Sequence, residues 1–131
     1  MQLTRQTEYA VLTLIELAQK RGELIKTGDI AEKYGIPIQF LKKTVNKLEL
    51  AGLIETQRGC RGGLRLVKPM EKTTLYDIYK AIEGPIYINP CLKPDYQCVR
   101  QLECKLRQFF GDIQAYIVEK MDSVTIKDIL D

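Results

Sequence analysis

The sequence predicts a mainly α-helical fold with a small β-hairpin: a winged helix-turn-helix followed by a long C-terminal dimerisation helix. Three observations carry that prediction. Apolar residues recur at steps of three and four in several separate segments. Two short helical segments are parted by a tight turn containing Gly35. A glycine- and arginine-rich turn then sits between two short β-prone runs. The division follows the same pattern. Residues 1–70 form the winged helix-turn-helix, and residues 71–131 hold a helix, a cysteine-containing loop and the dimerisation helix.

Thr4 caps a first helix running to about Lys20, where Gly22 ends it. Leu3, Tyr9, Ala10, Leu14, Leu17 and Ala18 define its apolar face, and Val11, Leu12 and Ile15 widen it, which predicts burial on two sides. Thr27 is read as the N-cap of a second helix, with Asp29 at the positive end of its dipole and Ile30, Ala31 and Tyr34 turned inward. Gly35 closes that helix and Ile36-Pro37 makes the turn. The third helix covers about Ile38 to Ala51, with Leu41, Val45, Leu48 and Ile38 as its inner set and Gly52 as its stop. Its outward residues are Gln39, Lys42, Lys43, Asn46 and Lys47, side chains of the types that read base edges and hold phosphates.

Leu53–Gln57 and Leu64–Val67 read as the strands of a wing. Arg58, Arg61 and Arg65 lie at or near the tip, placed to follow phosphates or enter a minor groove. The glycines of this turn allow positive φ and close backbone approach. A nucleotide-binding loop is excluded, because the Lys-Ser/Thr pair is missing and a strand follows. Pro69 ends the wing. Thr74-Leu75-Tyr76-Asp77 is a capping box opening a helix to Glu83, and Gly84-Pro85 stops it. Residues 85–98 form an irregular loop. A long helix starts at about Val99 or Gln101, with a stripe of Leu106, Phe110, Ile113, Ile117 and Met121 that Phe109 and Tyr116 widen. Such a stripe needs a covering surface, and a symmetric partner helix is the expected one; the alternative is packing on its own domain. Thr125 and Asp128 cap a last short turn.

The chain of 131 residues carries a net charge of +3, unevenly spread. Residues 1–68 hold 12 Lys/Arg against 7 Asp/Glu, whereas residues 69–131 hold 8 against 10. The first half suits a polyanion and the second does not. Histidine is absent, which removes Ser-His-Asp and Cys-His catalysis and every histidine-based zinc site. An enzyme is not expected. No apolar run reaches the roughly 20 residues of a membrane span. The polar start predicts no signal peptide, so the expected compartment is the cytoplasm.

Of the four cysteines, Cys91, Cys98 and Cys104 fall in one window, spaced Cys-x6-Cys-x5-Cys. Disulfides are not the default in that compartment. Lys93, Arg100, Lys105 and Arg107 favour the thiolate forms, and three sulfurs without histidine suit a soft metal or a cluster. A thiol redox switch and three unrelated cysteines are the alternatives. Cys60, on the wing, is expected to be an exposed bystander.

The residues now quoted match a known family. The sequence resembles the Rrf2 family of bacterial transcription regulators, which includes an iron–sulfur cluster biogenesis regulator and a nitric-oxide-sensing repressor. Met1-Gln2-Leu3-Thr4 with Thr7-Glu8-Tyr9-Ala10 is similar to its first helix. Asp29-Ile30-Ala31-Glu32-Lys33-Tyr34-Gly35-Ile36 is similar to its helix-turn-helix, which Leu41, Leu48 and Ala51-Gly52-Leu53-Ile54 continue. Arg58-Gly59-Cys60-Arg61-Gly62-Gly63-Leu64-Arg65-Leu66 is similar to its wing, and Ala81-Ile82-Glu83-Gly84 to the end of the next helix. The resemblance implies a homodimer built on the long helix and reading a palindromic operator in double-stranded DNA. It implies an iron–sulfur cluster, [2Fe-2S] or [4Fe-4S], on Cys91, Cys98 and Cys104. Where some members place a histidine ligand, this chain has Arg107. Where others use an acid of the partner's first helix, it has Glu8, the implied fourth ligand. Some members also carry an acid near the position of Lys42, so the operator is not transferable.

The expected function is therefore a sequence-specific transcriptional regulator whose operator binding responds to the cluster. Gln39, Lys42, Lys43 and Asn46 would contact the groove. Arg58, Arg61 and Arg65 would serve the wing, and Arg5 and Lys47 the phosphates. A zinc or thiol regulator of the same fold and a protein-interaction adaptor without DNA are the competing readings.

Overall fold

Thr4 sets the start of the chain's central helix. In a computed structural model that describes residues 1–131, its hydroxyl accepts the Thr7 N–H at 3.2 Å and opens α1, Arg5–Gln19. Seven of the nine hydrophobic positions named for this helix behave as two shells. Ala10, Leu14, Leu17 and Ala18 are buried, while Tyr9, Val11 and Ile15 are half-buried against the same core. Leu3 precedes the helix and stays exposed. Thr13 is wholly buried because its hydroxyl donates to the Tyr9 carbonyl at 2.7 Å.

The helix-turn-helix follows as α2, Thr27–Tyr34, and α3, Ile38–Leu50. Gly35 caps α2 in the left-handed region at φ 65°, where a side chain would be strained. The expected N-cap at Thr27 is not formed. Lys26 takes that position without a side-chain bond. The cause lies elsewhere in the chain: Ile25 pairs with Leu64 by two backbone hydrogen bonds of 2.9 and 2.7 Å, and the helix opens directly after that bridge, one residue earlier than expected. Ile38, read as inward, is exposed, whereas Leu41, Val45 and Leu48 are buried as expected.

Strands β1, Ile54–Gln57, and β2, Gly63–Leu66, form the antiparallel wing with Ile54 opposite Leu66 and Gln57 opposite Gly63. Each is one residue shorter or shifted relative to expectation. The Gly62-Gly63 pair is required by close approach to the chain itself. A Cβ at Gly62 would stand 2.0 Å from the Gln57 carbonyl oxygen, and one at Gly63 2.8 Å from the Ile25 backbone. The wing is thus pinned to the strand-like segment before α2.

Helix α4, Leu75–Glu83, opens with the Thr74–Asp77 capping box. A short 3-10 turn, Pro90–Leu92, interrupts the loop after it. Helix α5, Lys105–Asp122, starts later than expected, because 99–103 fold into successive tight turns with Gln101 N–H on the Cys98 carbonyl and Glu103 N–H on the Arg100 carbonyl. Helix α6, Ile126–Leu130, carries the Thr125–Asp128 capping box. Ile126 is fully buried, and its N–H bonds the Thr73 carbonyl. Ile78, Ile82 and Ile126 belong to the same buried cluster as Leu14, Leu41 and Leu64, so the two halves of the chain share one core.

No residue of α5 is buried. The apolar stripe read from the sequence divides in two. Phe110, Ile117 and Met121 are half-buried on the side facing the rest of the molecule, while Leu106, Phe109, Ile113 and Tyr116 stand exposed. The exposed set repeats at steps of 3, 4 and 3, and Val99 and Leu102, both fully exposed, precede it in the same rhythm.

One ion pair ties α1 to α2. The buried Glu16 carboxylate accepts from Lys33 Nζ at 2.6 Å and from the Tyr34 hydroxyl at 3.0 Å. The Lys33 bond, with help from Tyr34, outweighs the opposing effect of burial and holds the Glu16 carboxyl below the ordinary glutamate range. A depressed folded-state value stabilises above the ordinary range and ceases to do so as pH falls through that value. Glu16→Gln is therefore expected to lower the melting temperature at neutral pH. Its deficit relative to wild type should narrow below about pH 4.5, read by thermal unfolding at several pH values.

Candidate nucleic-acid interface and cysteine pocket

Helix α3 buries Leu41, Thr44, Val45 and Leu48 and leaves Gln39, Lys42, Lys43 and Asn46 exposed on its outer side. The amides supply paired donors and acceptors, and the lysines supply mobile cations. After three residues, Ala51-Gly52-Leu53, the wing begins. Arg58, Cys60 and Arg61 at its tip are exposed. Arg65 pairs with Glu55 directly across the strands, so its charge is already partnered. Arg5 is exposed and bonds Glu8 one turn on, at 3.2 Å. Lys47 is also exposed, but its Nζ is engaged: it donates to the Ile82 carbonyl at 3.1 Å and to Gln6 Oε1 at 3.2 Å.

The three clustered cysteines come together. Cys91, in the 3-10 turn, Cys98, and Cys104, at the N-cap of α5, all line one cavity of about 100 Å³. Each is half-buried, while Cys60 is exposed on the wing and takes no part. Asn89 Nδ2 donates to the Cys91 sulfur at 3.0 Å, and Arg107 Nε donates to the Cys91 carbonyl at 3.1 Å. Arg100 acts on Cys98 through its backbone N–H first and its guanidinium second, holding that thiol below the ordinary cysteine range. Asn89 was not anticipated from the sequence; an amide two residues before a cysteine is too common a pattern to single out.

The donor set fits a soft metal or a cluster, because three sulfurs share a pocket rimmed by Arg100 and Arg107. No three Cys, Asp or Glu side chains are gathered closely enough to hold a metal ion, so a zinc ion and a cluster alike would require the loop to draw its sulfurs closer together. Glu8 lies apart, in a second hollow of about 410 Å³ walled by Leu3, Val11, Leu12, Leu75 and Met121. Within one chain it does not face the sulfurs.

A helix-turn-helix with amides and lysines on its second helix, an arginine-tipped wing and no catalytic constellation defines a winged-helix DNA-binding regulator. The comparisons agree. The Rrf2 family model, described as an iron-dependent transcriptional regulator, matches residues 3–131. The chain is 30% identical to the HTH-type transcriptional regulator NsrR of Shouchella clausii, over 99% of this chain and 89% of that protein. It superposes on the solved structure of CymR, the global cysteine regulator of B. subtilis, with a TM-score of 0.79 and 27% identity, covering 98% of this chain and 95% of that one. For IscR of T. potens the TM-score is 0.75 and the identity 25%, covering 99% and 86%. The protein belongs to the Rrf2 family and is a DNA-binding transcriptional regulator, not an enzyme. No helix is long and apolar enough to cross a membrane.

The Arg100 contact generates a measurable consequence for metal-free, reduced protein. Because the thiolate is the reactive form, alkylation of Cys98 is expected to set in at lower pH than that of an ordinary free cysteine. Arg100→Ala should move the Cys98 profile upward, as followed by mass spectrometry of peptides after timed iodoacetamide treatment.

Proposed function

We propose that this regulator binds an operator as a homodimer, and that Cys91, Cys98 and Cys104 set its occupancy by holding an iron–sulfur cluster. The observation that carries the reading is the meeting of these three sulfurs in one cavity at the root of α5. When bound, the cluster supplies iron that responds to oxidant, to iron supply or to nitric oxide. The chain's own residues do the rest. Arg100 and Asn89 hold Cys98 and Cys91 in place for ligation. Glu8 on α1 of a second copy supplies the fourth ligand; its exposure and its remoteness from its own chain's cysteines support that assignment.

Leu106, Phe109, Ile113 and Tyr116 form the pairing seam, extended by Val99 and Leu102. Two copies joined there present two α3 helices, and half-sites must lie about one helical turn, roughly 34 Å, apart. Gln39, Lys42, Lys43 and Asn46 enter the groove. Arg58, Arg61 and Arg65 on the wing follow phosphates or a narrow minor groove, and Arg5 on α1 contributes a separate phosphate contact. Any change at the cysteine pocket that alters the spacing of the two α3 helices penalises binding. A shift of about 1.4 kcal/mol changes occupancy about tenfold far from saturation.

A second reading has an observation of its own. Cys98 is held toward its thiolate, and the chain resembles CymR, a cysteine regulator. A thiol switch on the same three cysteines would control the same DNA contacts without iron.

Two experiments separate these readings. Protein purified without oxygen should be coloured, with sulfur-to-iron charge-transfer bands and stoichiometric iron and sulfide. Cys98→Ala should abolish the colour and change affinity about tenfold for a duplex selected by the wild type from a random pool; equal affinity sinks cysteine control altogether. Colourless, iron-free protein whose binding still depends on Cys98 establishes the thiol switch instead. For the seam, Phe109→Glu places a charge in an apolar interface. Sedimentation should show a monomer, and operator binding should weaken because the two half-sites no longer act together.

A further inference from the structure

Lys47 occupies the border of the recognition helix, one residue after the outward Asn46 and one before the buried Leu48. The residue is exposed, yet its ammonium group is held by acceptors on two neighbouring helices. It donates to the Ile82 carbonyl at 3.1 Å and to Gln6 Oε1 at 3.2 Å. Ile82 is the penultimate residue of α4, so its carbonyl is one of those left without an intrahelical donor. A cation there also meets the negative end of the helix dipole. Gln6 lies in the first turn of α1. The two helix ends that supply these acceptors are themselves joined, because Thr4, the N-cap of α1, donates to Glu83 at the end of α4 at 2.6 Å.

This corner is also where the cysteine loop is rooted. After Glu83 the chain turns at Gly84, buries Ile86, bonds Ile88 N–H to Gln114 of α5 at 3.0 Å, and reaches Cys91 nine residues after Ile82. Lys47 is thus the polar contact by which α3 grips the base of the sensor segment and the start of α1 at once. We propose that Lys47 is a positioning residue that fixes the recognition helix to the root of the cysteine loop, and is not one of the phosphate contacts. A phosphate contact would require it to abandon two charge-assisted hydrogen bonds already made. The transmission half of this inference rests on cysteine control of binding; the anchoring half stands without it.

The test uses the full-length dimer and a duplex selected by the wild type from a random pool. Affinity is measured across a salt series for Lys47→Met, Lys47→Arg, Gln6→Ala and the outward comparison Lys42→Met, each with and without Cys98→Ala. Lys42→Met should lower the slope of log affinity against log salt by about one, as loss of one phosphate contact does. Lys47→Met should weaken binding about tenfold with the slope unchanged, while Lys47→Arg restores most of it. Gln6→Ala should act in the same direction by a smaller factor. In the Lys47→Met background the effect of Cys98→Ala should shrink, a coupling that a residue serving stability alone does not show. A slope lowered by about one in Lys47→Met overturns the proposal. An unchanged slope with a fully additive Cys98→Ala effect overturns the transmission half. If Cys98→Ala is silent in the wild type, transmission falls together with cysteine control, and the slope alone decides the anchoring.

Discussion

Burial of α1 is the constraint on which everything else depends. Ala10, Thr13 and Leu14 have no accessible surface and Leu17 has almost none. The helix packs on α2 and α3 of the reading head, on β2 of the wing, and on α4 and α6 of the second half. A chain of this size builds a single core, and α1 is its axis. Any displacement of α1 therefore moves the recognition helix and the wing together. The buried Glu16 pairing with Lys33 and Tyr34 adds direction to that apolar contact, because it holds α2 in one rotation about α1.

Helix α5 is the opposite case. It contributes nothing fully buried, rests on α4 with one side, and leaves an aromatic and aliphatic row facing out. Leu106, Phe109, Ile113 and Tyr116 are too many and too well aligned for scattered surface apolarity. The proposed dimer answers both features at once, since a second α5 buries the row and the acidic second half separates two basic heads. Each copy then offers its α1 hollow, with Glu8 on its rim, to whatever the other brings across the seam.

Local chemistry was the legible part of the sequence. Capping boxes at Thr74 and Thr125, the Gly35 cap and the inward Leu41, Val45 and Leu48 of α3 follow from neighbours within one turn and are present, whereas Ile38 at the start of α3 is not inward. What depended on distant partners was not legible. Thr27 lost the cap to Lys26 because Leu64 pairs with Ile25. The Gly62-Gly63 pair clears the chain's own Gln57 and Ile25, a crowding that no window of sequence displays. α5 begins at Lys105 because the Cys98 and Arg100 carbonyls are first taken by the tight turns at Gln101 and Glu103. Its outward row was hidden for a different reason. Two apolar stripes share Leu106 and Ile113, and periodicity cannot say which one the molecule keeps for itself. The cysteine window was visible by spacing, but the convergence of its sulfurs needed the 3-10 turn and the Arg107 bond to the Cys91 carbonyl.

The proposed control has to be mechanical, and the layering shows why. The 3-10 turn of the cysteine loop packs on α5, α5 on α4, and α4 on α1 and α3, so the sulfurs stand at least one helix away from the reading face. Packed helix axes lie about 8–10 Å apart, and two such steps exceed the Debye length of about 8 Å at physiological ionic strength. A change of one unit of charge at the cysteine pocket is largely screened before it reaches a phosphate at Lys42 or Arg61. Rigid contact is not screened. The segment from Cys91 back to Ile82 is tied down at Ile86 and Ile88, and the end of α4 is bonded to Thr4 through Glu83. Strain applied at the pocket therefore arrives at the corner where α1, α3 and α4 meet, as a displacement of helices and not as a field. The reading head then needs no charge of its own to sense the signal, which leaves its lysines and arginines free for DNA.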